Sequence, residues 1–360
     1  METSYEKDVA EVDLRSKALS YAIRLQNLIK SLGSIYFSIL KEEATLTSFK
    51  KQQEALGQQR RTAKLESQAG VLSKVDLTDI EAQYQLIRTQ RIAQESVLRS
   101  FYDGLSSLIG VNITSLPITQ NMDLTKLRSN QSLSSFLDQI NEHNLDLLFS
   151  KLAIGRQKAL LKQNEAKHYP KLAIEASHSY SESNSRAATL TGNNESELNS
   201  LGITLNIPIY HGGSKSATAD QQQALLRRRI NLWEQKKLDV EENAKYTLRN
   251  HATLWDMIQA NKKLVESVEA SYQATKMSFA TGARNQTDLL NAQSRLFAAQ
   301  RDYLTAQYDF INNVIEINRL RGTLDQKFLD QLEQVIMVKK QGKKQKKQVY
   351  NRILESLNGR

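Results

Sequence analysis

The side chains best able to do chemistry in this 360-residue chain are its five histidines, His143, His168, His178, His211 and His251. Imidazole binds metals and moves protons near neutral pH. A metal centre, however, needs several ligands at close, regular spacing, and no two of these histidines have it. Cysteine is absent, which removes thiolate metal sites, a cysteine nucleophile and any disulfide framework. There is no phosphate-cradling glycine loop, no dinucleotide turn and no serine elbow. Isolated histidines are by default surface or strand residues, so the expectation is a protein without enzymatic activity, cofactor or metal.

The elements that carry these residues are unusual for so long a chain. A single compact domain rarely reaches this size, so two domains or one elongated body are expected. Only 3 residues are proline, at positions 117, 170 and 208, well under the usual share of about 5%. Proline breaks helix interiors, so its scarcity points to long uninterrupted helices. A mean hydropathy of −0.52 and the lack of 18 consecutive apolar residues exclude a transmembrane helix. The polar, acidic start Met1-Glu-Thr-Ser-Tyr-Glu-Lys-Asp-Val-Ala10 has no signal-peptide pattern. Net charge is +10, concentrated in the run Lys339–Lys347. Such a run is most often a solvated tail and less often a nucleic-acid or lipid patch.

Between Ser214 and Thr281 there is neither Pro nor Gly. A continuous helix there would be roughly 100 Å long, which requires a coiled coil or a long bundle. Leu289, Leu296, Tyr303, Phe310 and Ile317 then recur every seven residues, with Ala292, Ala299 and Ala306 on the second seam. This is the 3–4 spacing of a left-handed coiled coil. The same pattern runs through Leu77, Tyr84, Arg91, Leu98 and Leu105, beside Ile80, Ile87, Gln94, Phe101 and Leu108. Adding 212 carries Leu77 onto Leu289, Asp76 onto Asp288 and Gly70 onto Gly282, so the chain holds an internal repeat. Each copy reads as a long helix, a glycine-containing tip and a second heptad helix.

Between the copies, residues 111–130 read as a polar loop and Gln131–Lys167 as one amphipathic helix. The period then changes to 2. Leu172–Ser181 and Leu201–Tyr210 each present an apolar and a polar face, separated by the Ser- and Asn-rich loop Glu182–Asn199. Two strands of about ten residues with this alternation suit a membrane β-barrel. The alternative is a hairpin packed on a soluble core, which the long polar flanking helices do not provide. Pro208 fits a strand end, where a lost donor matters least.

With Tyr169-Pro-Lys-Leu172, Ile207-Pro-Ile-Tyr-His-Gly-Gly213, Thr281-Gly-Ala-Arg-Asn-Gln-Thr-Asp-Leu-Leu290 and Ile317-Asn-Arg-Leu-Arg-Gly-Thr-Leu324, the chain bears a resemblance to the TolC family of outer-membrane efflux and type I secretion channels. It covers residues 131–324 most specifically and 15–110 more weakly. The resemblance implies a mainly α fold, with long coiled-coil helical hairpins in an α-barrel protomer and one two-stranded antiparallel membrane β-hairpin. The expected layout is a truncated first-repeat helical hairpin at 1–110, a connector at 111–168 and the barrel hairpin at 169–211. The second-repeat helical hairpin at 212–322 and a C-terminal extension with the Lys-rich tail at 323–360 complete it. Subtracting 212 from Gly213 gives Met1, so the expectation is that an export signal and a first strand pair are lost from this chain. Three copies as they stand would supply six strands, few for an open pore.

The resemblance further implies a homotrimer in the outer membrane, with its helical part in the periplasm. Its partners would be a periplasmic adaptor, an inner-membrane pump and outer-membrane lipid, with no nucleic acid. Function would be passive export through a tunnel; the alternative is a coiled-coil scaffold or interaction protein that forms no channel. By the same resemblance Arg284 and Phe279 link neighbouring helices at a closed entrance, and Asp76 is the acidic partner in the first repeat. Asp288 corresponds to a constriction-lining carboxylate, whereas Asn291 replaces the usual second one. A plain helix-capping role for Asp288 is the competing reading. Gly70, Val71, Leu72, Thr281 and Gly282 correspond to adaptor-contacting tips, although glycine serves helix reversal in any case. Tyr169, Tyr180 and Tyr210 would form an interfacial aromatic girdle, the competing reading being that Tyr is simply a common strand residue.

Overall fold

The computed structural model describes residues 2–116, 119–187 and 190–338. Pro117 and the Lys339–Lys347 run lie outside the described residues. The repeat is visible in the element lengths. Helix α1 (Glu2–Gln68) and helix α5 (Ser214–Ala280) have 67 residues each, and α2 (Lys74–Ile109) and α6 (Gln286–Arg321) have 36 each. All four begin and end 212 residues apart. The terminating glycines repeat as well: Gly70 and Gly282 both have φ +75°, and Gly110 and Gly322 have +75° and +74°. No helix among the described residues is long and apolar enough to cross a membrane.

Two expectations for the intervening segment are corrected. The helix expected over Gln131–Lys167 is broken into α3 (Leu133–His143) and α4 (Leu145–Ala166). The break is Asn144, whose backbone leaves the helical region at ψ 119°. Its buried side chain donates to the Leu320 carbonyl at 2.9 Å, a long-range bond that helical periodicity does not encode. The expected polar loop 111–130 contains β1 (Thr119–Met122) and a 3₁₀ turn over Leu124–Leu127. After α6 the chain forms α7 (Gln326–Val335) and β4 (Ile336–Val338), and β4 pairs antiparallel with β1.

The hairpin also differs in extent. Strands β2 (Lys171–Ala187) and β3 (Leu190–Asn206) have 17 residues each, so most of the expected Glu182–Asn199 loop is strand. Ser and Asn resemble turn residues locally, yet each further rung of an antiparallel ladder satisfies two strands' backbone groups at once. At the other end β3 stops at Asn206, four residues before Tyr210 and just ahead of Pro208, which lacks the donor needed to continue.

Tertiary contacts divide the chain into two compact units. One consists of Met1–Ser20 and Asp146–Lys237 and contains the hairpin. Within it, Arg156 grips Asp13 through two hydrogen bonds of 2.5 and 3.3 Å. The other unit, Tyr21–Leu145 with Leu238–Arg360, holds the main apolar core. Phe37 and Leu40 of α1 meet Phe310, Ile311, Val314 and Ile315 of α6, with Leu324, Phe328 and Leu332 closing the cluster. The α6 seam is buried at Leu289, Leu296, Phe310 and Ile317 and at all three alanines. Gly33 of α1 permits this packing, because a Cβ there would lie 2.9 Å from Ile315 Cδ1.

Candidate functional site

The two helical tips are built alike. At the first, Val71 N donates to Glu66 O at 2.8 Å and Gly70 N to Ser67 O at 3.2 Å. At the second, Ala283 N donates to Ser278 O at 2.9 Å and Gly282 N to Phe279 O at 3.0 Å. Both are the paired i−5 and i−3 bonds that end a helix over a left-handed glycine. Neither glycine has an atom within 4 Å of where a Cβ would stand, so backbone conformation alone requires glycine there. The chain then re-enters a helix through a cap in each copy. Ser73 Oγ accepts from Asp76 N at 3.1 Å, and Asn285 Oδ1 accepts from Asp288 N at 2.8 Å.

The acidic residues therefore have local work. Asp76 Oδ2 accepts from Ser73 Oγ at 2.7 Å. Asp288 Oδ2 accepts from Asn285 N at 3.4 Å, completing a reciprocal capping box. Arg284 reaches the same carboxylate at 3.6 Å, with the two side chains 60% and 38% exposed. Between side chains this exposed, the pair adds little stability. Within the protomer the structure thus realises the capping reading of Asp288. Arg284 is committed to its own helical turn and makes no ion pair with Asp76. Phe279 is half-buried, and Asn291 is exposed with its carbonyl accepting from Arg295 Nε at 3.3 Å.

Of the tip residues, Val71 is 78% exposed, as Thr281 and Gly282 also are exposed. Leu72 instead packs with Leu77 against Leu56, Ala63, Ile80, Ile87 and Leu290, joining the first tip to the start of α6.

The hairpin register puts Leu172 opposite Leu205, Ile174 opposite Ile203 and Ala176 opposite Leu201, all on one face. The same face turns polar further along, where His178 Nδ1 lies 2.6 Å from Asn199 Oδ1 and Tyr180 stands opposite Glu197. From Leu172 to Tyr180 the strand rises about 26 Å, or roughly 20 Å along a barrel axis at the usual tilt. Tyr180 is 59% exposed and lies within β2 rather than at its end, while Tyr169 and Tyr210, 57% and 83% exposed, lie outside the strands. The apolar side chains on this face are likewise exposed, and among the described residues β2 and β3 pair only with each other.

Two buried polar nodes escaped the sequence reading. His251 of α5 is 2% exposed; its Nε2 accepts from Ser129 N at 3.1 Å and its Nδ1 faces Asn313 Oδ1 at 3.2 Å. It stacks on Phe310 at 4.6 Å. Burial depresses its pKa, opposed by the Asn313 bond, with Arg321 and Arg128 reinforcing the depression. The available signal was phase: His251 continues the buried series Val240, Ala244, Thr247, Ile258. The second node is Glu43, which accepts from Tyr102 Oη, itself accepting from Leu116 N at 3.0 Å. Burial raises the Glu43 pKa despite the tyrosine bond, and its second oxygen, Oε2, is buried without a hydrogen-bond partner among the described residues. Among the described residues no group of acidic or histidine side chains could hold a metal ion.

Residues 136–323 match the family model described as outer membrane efflux protein. The chain is 23% identical over 320 residues to the outer membrane protein TolC of Vibrio cholerae, covering 89% of this chain and 73% of that one. TolC of Escherichia coli is 24% identical over 318 residues, covering 86% of this chain and 64% of its own. The proteases secretion protein PrtF of Dickeya chrysanthemi is 24% identical over 319 residues, at 86% and 67% coverage. The chain therefore spans about two thirds to three quarters of these relatives. Among solved structures, the outer membrane protein VceC of Vibrio cholerae superposes with a TM-score of 0.73 at 11% identity, covering 90% of this chain and 77% of that one. The CmeC channel of Campylobacter jejuni gives 0.71 at 14%, covering 92% and 72%.

Proposed function

Because the chain belongs to the outer membrane efflux protein family, we propose that it is a subunit of an outer-membrane channel for efflux or type I secretion. The observation that carries this reading is the β2–β3 hairpin. Both its edges lack strand partners among the described residues, and the apolar side chains of one face are exposed. In lipid, backbone groups at an open sheet edge have no water to bond, so such a hairpin must close into a ring with other strands. Strands from neighbouring protomers supply that closure in a homotrimer. The Leu172–Ala176 and Leu201–Leu205 face meets the acyl chains, and Tyr169, Tyr180 and Tyr210 form its interfacial girdle.

Transport through such a conduit is passive. The family resemblance supplies the partners: a periplasmic adaptor at the tips around Gly70, Val71, Leu72, Thr281 and Gly282, and an inner-membrane pump that provides the energy. Assembly would bring Asp76, Phe279, Arg284, Asp288 and Asn291 of successive protomers to one constriction, where Arg284 exchanges its weak in-turn pairing for contacts between helices. Asp288 then serves both as cap and as lining charge.

The test is fractionation of cell envelopes, followed by electrophoresis with and without heating. The expected product is an outer-membrane trimer that dissociates only on boiling. A soluble monomer or dimer would sink the proposal and favour a coiled-coil scaffold.

A further inference from the structure

The base of the hairpin carries a concentration of positive charge that the channel reading leaves unused. The two crossings between helix and strand, residues 165–171 and 207–215, contain Lys167, Lys171 and Lys215 with His168 and His211, against the single carboxylate Glu165. The strand segment 172–206 has the opposite balance, with Glu175, Glu182, Glu195 and Glu197 against Arg186. Lys215 Nζ donates to Lys167 O at 2.7 Å, and Lys167 Nζ donates to Asn164 Oδ1 at 3.1 Å. Both acceptors are neutral. Each ammonium has three donors and a full charge, so neither lysine is compensated by these bonds. Beside them Tyr169 and Tyr210 are exposed, and Ile209 is 93% exposed.

From this arrangement we infer that the hairpin base binds the phosphate groups of anionic phospholipids in the leaflet on the helix side. The inference rests on the membrane placement of β2 and β3 given above. The apolar face begins at Leu172, just past the crossings that carry Lys167 and Lys215, so those two ammonium groups fall at headgroup depth while the tyrosine rings occupy the interface; Lys171, one residue before Leu172, stands on the opposite face of the ladder. A lysine near a negative lipid surface contributes about 1 kcal/mol, or roughly five-fold in partition. The excess carboxylates of the strand segment repel the same headgroups, so the charge gradient also sets which end of the hairpin faces that leaflet. Phosphate on a lipid is favoured over free phosphate because the flanking Tyr and Ile side chains require an apolar neighbour.

The experiment uses the full chain reconstituted into phosphatidylcholine vesicles with and without phosphatidylglycerol. Insertion is read by heat-resistant trimers, and lipid preference by partition between the two vesicle populations. Expected is insertion into both, with at least about ten-fold preference for the anionic vesicles that fades in 1 M salt. The Lys167→Gln/Lys215→Gln variant is expected to insert but lose the preference, and the corresponding Lys→Arg variant to keep it. The remote variant Lys151→Gln/Lys158→Gln/Lys162→Gln on α4 should keep it too. Equal partition of the native chain overturns the inference while leaving the channel reading intact. So does loss of preference in the remote variant, or its survival in the Gln variant at the base. Preference reproduced by free inorganic phosphate competing at low concentration overturns the lipid assignment, and failure to insert into either vesicle overturns both readings.

Discussion

Buried His251 and half-buried Glu43 are titratable groups whose pH dependences oppose each other. The folded-state pKa of His251 lies below its ordinary 6.5, chiefly because burial disfavours the imidazolium. Its contribution is present above pH 6.5 and is lost as pH falls through the depressed value, when Nε2 gains a proton and can no longer accept from Ser129 N. Glu43 is displaced upward from 4.5 by burial, so its contribution is present below that value and is lost as pH rises through the folded pKa. Glu43→Gln, which keeps an acceptor for Tyr102, should therefore raise the melting temperature at about pH 8 and do little at about pH 4. His251→Gln should cost about 1–3 kcal/mol near neutrality and flatten the loss of stability on acidification below about pH 6.5. Thermal melts across pH check both; parallel curves for native and variant would refute the assignment. Asp288 separates in the same way. Asp288→Asn keeps an oxygen for the capping box, so stability should fall by less than about 1 kcal/mol. Cation preference, read as a reversal potential in planar bilayers, should drop if the carboxylate lines the constriction.

Among the elements, the terminal glycines are a matched set with unequal constraints. Gly282 and Gly322 have nearly the same φ, but a Cβ at Gly322 would lie 2.3 Å from the His143 carbonyl oxygen, whereas nothing lies within 4 Å at Gly282. Gly282→Ala should cost about 1–2 kcal/mol from left-handed strain alone. Gly322→Ala should cost clearly more, because α3 must also move, and equal losses in chemical denaturation would contradict the packing argument. The break at Asn144 belongs to the same junction. Asn144→Ala removes the bond to Leu320 O and strands a buried carbonyl, a loss of about 1–3 kcal/mol. The repeat explains why helix ends were legible in advance: Gly70 and Gly282 mark them in the sequence itself. Asn144 gives no such sign, since an Asn inside an amphipathic run is common and its partner lies 176 residues away.

For the whole molecule, the decisive variable is which solvent the hairpin meets. Arg at a lipid-facing strand position costs about 2–4 kcal/mol at mid-bilayer and little on the other face. Leu201→Arg, midway along the ladder between Leu172 and Tyr180, should therefore abolish most heat-resistant trimer, while the adjacent Ser200→Arg, on the opposite face, should leave it largely intact; similar effects from both would place the hairpin outside lipid. The periods of 3.5 and 2 were sufficient to recognise the long helices, the repeat and the alternating strands, because each follows from backbone geometry repeated residue by residue. Strand extent, the helix break at Asn144, the burial of His251 and the in-turn pairing of Arg284 with Asp288 were settled only in three dimensions. Each depends on which group happens to stand within about 3–4 Å, and that distance is a property of the packed chain rather than of any local run of residues.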